Sequence, residues 1–263
     1  LASMGMTTAN DSAILMVSGT IVANTGDANY SNPVSIGSGA YVTADTAIAI
    51  GWKAYGKGIA IGPNAYVTTA YQIAIGHDAY TTNDESVVIG NAAYSTSERS
   101  TAVGKGSTAG YEGVAYGWNT DSANYGVAIG SRATANGGIC VGQNSESHGG
   151  SIMLGMDTRA NSNEQGLGFG QGVHIRGMGG IAMGAFSEAY ASGIAIGKYA
   201  SAPASGFVVS IGDSVNERGM FSGSFNSTSS ATDGYLNIFD NKLQVSGDGS
   251  VKVNNQYTFP TGV

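Results

Sequence analysis

Bulky, small, bulky and then Gly: this four-residue pattern of apolar positions recurs along the chain and organises it. It closes on Gly37, Gly51, Gly62, Gly76, Gly90, Gly104, Gly117, Gly130, Gly142, Gly155, Gly170, Gly184, Gly197 and Gly212, fourteen times at a mean spacing of about 13.5 residues, in steps of 11 to 15. The positions one and three before each Gly are apolar (Val34 and Ile36, Ile59 and Ile61, Val87 and Ile89, Leu167 and Phe169), Thr101 excepted. Alternation of period two predicts a short strand. The residue between them is small in most copies (Ser35, Ala49, Ala60, Ala74, Ala102, Ala128, Ala182). This reading sends the bulky pair into the coil interior and leaves the small residue as a face that a neighbouring chain can approach closely.

Gly then ends the strand, because a backbone without Cβ reaches conformations closed to other residues. Two residues of any type make a corner, and a third, small residue (Ala40, Ala54, Ala65, Ala79, Ala93, Ser107, Ala133, Ser187, Ala200) opens a second short strand with its small side chains inward. Charges are expected only at corners and loops, as at Lys53, Asp78, Lys105, Arg132, Asp157 and Lys198. Two strands and two turns per coil, stacked in register, predict an all-β fold: a parallel β-roll solenoid with coils of about 14 residues. Residues 1–33 form a lead-in, 34–217 the roll of fourteen repeats, and 218–263 a C-terminal segment of short strands at 235–239, 243–245, 251–253 and 257–259, separated by turn residues. Two bulky side chains per coil bury little surface, so a second buried face is expected. Association around an axis supplies it, and three chains make one closed solution.

The tetrapeptide ending in Ile-Gly, two free residues and then Ala or Ser, repeated in tandem over about 34–217, resembles the head repeat of trimeric autotransporter adhesins of the YadA type. That resemblance implies a left-handed roll, a homotrimer, and adhesion to an extracellular or host surface without catalysis. The ending Asn254-Asn255-Gln256-Tyr257-Thr258-Phe259-Pro260-Thr261 is similar to segments near the ends of bacteriophage tail fibres, which carry the same head repeat. Both parents imply an extracellular location, on a virion tail fibre or on a bacterial surface. The chain begins with Leu, as expected of an excised or processed piece whose signal or anchor lies outside it.

Composition narrows the partners. Charged residues make up 11% of the chain, the net charge is −7, and the eleven Lys and Arg are scattered, so no basic stripe exists to neutralise phosphates and nucleic acid is not expected as a partner. No apolar run reaches membrane-spanning length; the longest near the N-terminus is 13–17. Cys140, the lone cysteine, takes the small-residue slot of its repeat, which rules out an intrachain disulfide.

Candidate chemistry lies in what the repeat leaves free. Tyr41, Tyr55, Tyr66, Tyr80 and Tyr94 each stand four residues after a repeat Gly, beside an inward small residue, and should form an outward aromatic ladder. Such a ladder either holds a sugar ring or protein partner, or stabilises the stack and covers a subunit seam. Trp52 and Trp118 directly follow a repeat Gly, at exposed corners, and serve either partner contact or inter-chain packing. Gly166-Leu167-Gly168-Phe169-Gly170-Gln171-Gly172 imitates a dinucleotide loop, but no helix is expected after it; it reads as a glycine-rich turn between coils. Gly104-Lys105-Gly106-Ser107-Thr108 imitates part of a phosphate loop and lies within the repeat register. His77, His148 and His174 are expected several coils apart at corners or loops, without metal-pair spacing, although on a trimer axis one His could meet its two symmetry copies. No catalytic residue, cofactor or metal is assigned, and no carboxylate pair suits glycoside hydrolysis. The expected function is attachment: a receptor-binding tail-fibre segment, the head of a bacterial surface adhesin binding glycan or protein, or a structural spacer with recognition elsewhere.

Overall fold

The computed structural model describes residues 24–25, 30, 33–95, 97–161 and 165–209, and the strands Phe221–Ser224, Tyr235–Ile238, Leu243–Ser246, Val251–Val253 and Gln256–Thr258. These residues are strand and turn throughout, and no helix among them is long and apolar enough to cross a membrane. They fall into two units, Leu1–Arg132 and Ala133–Val263, each containing a parallel β-solenoid.

In the first unit the strand before each repeat Gly pairs in parallel with the next copy: Val34 lies opposite Ile48, then Ile59, Ile73, Val87, Thr101, Val114 and Val127 in succession. A second ladder joins Tyr41, Tyr55, Tyr66, Tyr80, Tyr94, Thr108 and Asp121, with Asn24–Thr25 paired onto Tyr41–Val42. The second unit repeats the scheme from Ile139 through Ile152, Leu167, Ile181 and Ile194 to Phe207. That last pairing moves the fourteenth copy: the strand opposite Ile194–Ile196 is Phe207-Val208-Val209, two residues before the expected Val209-Ser210-Ile211, and Gly212 lies outside the described residues. Beyond it, Gly206–Val209 and the five remaining strands form an antiparallel meander. Four of those strands overlap the expected ones to within a residue at each end, whereas Phe221–Ser224 carries no pattern that singled it out. The expected C-terminal turn residues and the run at 13–17 lie outside the described residues.

The expected orientation of the first strand is reversed. Ala49, Ala60, Ala74, Ala102, Ala115 and Ala128 are fully buried, whereas the bulky residues on either side are half-buried or exposed on the outer face of the sheet. Either parity satisfies an alternating strand, so what lies opposite decides. In the coil of Gly51 the interior is filled by Ala47 and Ala49 from one sheet and by Ala54 and Gly56 from the other. A gap that narrow admits Ala, Ser and Gly and excludes Ile, so the Ile pair must face out.

Volume is exchanged between positions to keep this interior full. Gly166-Leu167-Gly168-Phe169-Gly170 is therefore not a turn joining coils: Leu167–Phe169 is a strand, and Gly166 and Gly168 face large neighbours. A Cβ at Gly166 would lie 2.6 Å from Ile175 Cγ2, and one at Gly168 would lie 2.5 Å from Met153 Cε. Met153, Val173 and Ile175 are fully buried and occupy the room these two glycines leave. Some coils have polar, hydrogen-bonded groups in the interior: Ser95 and Ser100 hydroxyls lie 2.6 Å apart, and Gln72 accepts from the Thr68 and Thr69 amides at 2.9 and 3.1 Å.

The corners are more selective than expected. The repeat Gly has φ between +117° and +146°, and the second residue after it is left-handed, as in Lys53, Asn64, Asp78, Asn119, Arg132, Asn144 and Asp157. That conformation explains the frequency of Gly, Asn and Asp at a position expected to tolerate any type.

Candidate functional site

The tyrosine ladder forms where it was expected. Tyr41, Tyr55, Tyr66, Tyr80 and Tyr94 are opposite one another in the second sheet, between inward Ala and Val, Gly, Thr or Ser, and successive ring centroids are 5.7, 4.9, 5.1 and 5.0 Å apart with interplanar angles of 8–27°. The faces of the rings are turned to each other along the stack. A spacing of about 5 Å leaves no room for a sugar to slide between two rings, so the ladder offers solvent its edges and a row of hydroxyls. Thr43 Oγ1 donates to the Tyr55 hydroxyl at 3.5 Å.

Trp52 and Trp118 are 51% and 43% exposed, at corners of the first unit. Each carries a cation against its ring: Lys53 Nζ is 4.4 Å from the centroid of Trp52, and the Arg132 guanidinium, one coil on, is 4.7 Å from that of Trp118. Such contacts hold the ring and the cation in fixed relation while both stay wet. The turn on the opposite edge of this unit bears an aromatic group that the sequence pattern did not single out. Tyr111 and Tyr125 meet edge to face at 5.5 Å, and Arg99 lies 5.0 Å from the Tyr111 centroid while pairing with Glu112 at 3.1 Å. Burial and the Glu112 carboxylate raise the Tyr111 phenol against the opposing effect of Arg99. In the second unit, Phe186 and Tyr199 stack at 5.3 Å on corner positions with φ of 56° and 58°, where Gly or Asn would be at ease. Both aromatic groups fall outside the Tyr register; Phe186 and Tyr199 had a signal, a bulky residue two places after a repeat Gly where Gly, Asn or Asp often stands, whereas Tyr111 and Tyr125 had none.

Charges are not confined to corners and loops. At the register of the Tyr ladder, Asp121 stands on a strand of the first unit, and Glu146, Arg159, His174 and Glu188 stand opposite one another on strands of the second. Glu146 pairs with Arg159 at 3.0 Å and His148 at 2.6 Å, and Arg176 pairs with Glu188. His148 and His174 thus lie on strands and not at corners or loops; only His77 is at a corner, 2.8 Å from Asp78. Burial first, and Arg176 and Arg159 next, hold the His174 imidazole below its usual range. Among the described residues no three His, Cys, Asp or Glu come together in a way that could hold a metal ion. In the phosphate-loop look-alike, Ser107 is buried and donates its hydroxyl to the Gly104 carbonyl at 2.9 Å.

The outer face of the first-strand sheet is largely apolar. In the first unit it runs through Ile48 and Ile50, Ile59 and Ile61, Ile73 and Ile75, and Val87 and Ile89, is interrupted by Thr101 beside Val103 and by Tyr116 beside Val114, and resumes at Val127 and Ile129, with no charged residue in either column. The second unit carries the same two columns from Ile139 and Val141 to Ile194 and Ile196.

The chain is similar to the YadA head domain repeat, whose two-copy family model matches residues 34–54, 73–93 and 82–107. No curated protein matches the chain, and no solved structure does.

Proposed function

We propose that the chain is a non-enzymatic attachment head in which three copies associate through the outer face of the first-strand sheet. One observation carries the reading: two uncharged columns, made of Val, Ile, Leu, Phe and Met with Thr101 and Tyr116 as the exceptions, stand half-buried or exposed on one face of each unit, while the coil interior behind them is already filled. A flat apolar strip of that length on an isolated chain invites cover. Because all its strands run the same way, chains set side by side around an axis parallel to the coil stack bring like columns together and close the assembly. The bulky face, and not the small-residue face, is then the seam. The match to YadA head repeats supports the number three, a left-handed winding, and an adhesin-like place at a cell surface.

With the apolar face inside, the Tyr hydroxyl row and the Trp52 and Trp118 corners are left facing outward, three copies of each, so that weak individual contacts add by multivalency. Glu146 and Glu188, the carboxylates nearest to basic groups on the strands, are engaged in ion pairs, which supports structural over catalytic duty. The tail-fibre reading leans on 254–261, of which only Gln256–Thr258 is described, so the adhesin-like reading is the better supported. Labelled protein applied to host cells and immobilised matrix proteins tests it. Saturable attachment, competed by unlabelled protein, is expected; absence of attachment to any surface would favour the spacer.

A further inference from the structure

Charge in the first unit is sorted between its two edges. The edge made by the corners after the repeat glycines carries Lys53, Lys105 and Arg132 against one acid, Asp78. On the opposite edge, where each second strand turns back towards the next coil, Lys57 and Arg99 face five acids: Asp45, Asp84, Glu85, Glu98 and Glu112. The first unit of a chain of net charge −7 therefore presents a locally cationic edge. Both Trp residues lie on it.

Lys105, Trp118 and Arg132 occupy three successive coils: the Asn119 amide donates to the Lys105 carbonyl and the Arg132 amide to the Trp118 carbonyl, both at 2.8 Å. Lys105 and Arg132 thus stand on the coils to either side of Trp118, and the Arg132 guanidinium lies over one face of the exposed indole, 4.7 Å from its centroid. Trp52 with Lys53 repeats the pairing at the far end of the same edge. Asp78, between them, is engaged at both oxygens, by Asn64 at 2.9 Å and by His77 at 2.8 Å, which tempers its repulsion of an anion. The aromatic–cation group on the other edge differs in this respect, since Arg99 is taken up by Glu112.

We propose that this edge binds a linear acidic polysaccharide laid along the coil stack. Trp118 and Trp52 are platforms for the C–H faces of two sugars, and Lys105, Arg132 and Lys53 meet the carboxylates. The proposal rests on the attachment reading and names its ligand class. The face of the indole that its cation does not cover buries the apolar side of a pyranose, and the cation held against the ring selects a sugar that carries an anion at its rim. Trp52 and Trp118 are five coils apart, about 24 Å at the usual strand spacing. A chain of several sugars reaches both platforms, and a single sugar reaches one. Linking the two subsites through one ligand raises affinity well beyond that of either alone.

The test is calorimetric titration of the intact protein with a hexagalacturonate, a neutral glucose hexasaccharide and galacturonic acid, at low and high salt. Binding of the acidic hexamer is expected, weaker at high salt, at least about tenfold tighter than the monosaccharide and accompanied by a shift in Trp fluorescence. Trp118→Ala should lose about tenfold, as should Lys105→Gln combined with Arg132→Gln, while Trp118→Phe retains most of the affinity. These side chains are exposed, so an unchanged melting temperature confirms that each variant is folded. Equal binding of the neutral hexamer, or wild-type affinity in Trp118→Ala, overturns the proposal. So does failure of the acidic hexamer to bind when the protein still attaches to cells, an outcome that leaves the attachment reading standing.

Discussion

Replacing Gly90 by Ala probes the close approach of successive coils at a repeat glycine. Gly90 has φ of +144°, and a Cβ there would lie 2.3 Å from the carbonyl oxygen and 2.6 Å from the carbonyl carbon of Gly104 in the next coil. Holding a residue with a Cβ in that region of φ costs about 1–3 kcal/mol. The overlap adds about 1–3 kcal/mol more, because the atom it meets is backbone in the same ladder and cannot swing aside. The expected total is about 2–6 kcal/mol, set against a control within the same repeat. Gly39 is also left-handed, with φ of +71°, but its Cβ would meet only Lys53 Cγ, at 3.4 Å. Gly39→Ala should cost about 1–2 kcal/mol, in line with the Ala92 that already stands at the equivalent corner with φ of 51°. Thermal unfolding followed by circular dichroism separates the two, and melting temperatures are the quantity to compare because repeat arrays need not unfold in two states. Should Gly90→Ala melt within about one degree of Gly39→Ala, the close approach of successive coils is not what selects Gly here.

Two further substitutions test the filling of the interior. Gly168→Ala should destabilise by about 1–3 kcal/mol through its overlap with Met153, and Met153→Ala by about 2–5 kcal/mol through the space it vacates. The double variant should cost less than the sum by at least about 1 kcal/mol; strict additivity in denaturant titrations would dissociate the two positions. Burial, ahead of every other influence, pushes the Cys140 thiol up to about 11. Folded protein should therefore resist alkylation at pH 8 and react only when unfolded, whereas prompt labelling of the native state would contradict the burial. Because the folded state favours the neutral thiol, this contribution to stability is complete below the unfolded value of about 8.5 and is lost as pH rises towards 11.

Much of the fold was legible because the repeat over-determines it. The spacing of the glycines predicted the coil, and the Tyr register predicted the ladder. The parity of the first strand was not, since Ile48-Ala49-Ile50 alternates equally well either way. The deciding information sat further off, in Ala47 before the strand and Ala54 and Gly56 after it, which leave an interior too narrow for Ile. The same narrowness explains Gly166 and Gly168, whose meaning depends on Met153 and Ile175 elsewhere in the stack. The corner Trp residues stood out in the sequence by type. Their cations did not, because Arg132 reaches Trp118 from the following coil, and only the register brings them together.

Association through the outer apolar face is the claim on which the functional account stands, and sedimentation equilibrium at micromolar concentration tests it most directly. The account predicts three times the chain mass for the native protein. It predicts a single chain mass when Ile73 and Ile75 are both changed to Lys, and a trimer when Thr108, on the other sheet, is changed to Lys. A native monomer, or a trimer that survives Ile73→Lys and Ile75→Lys together, would contradict it.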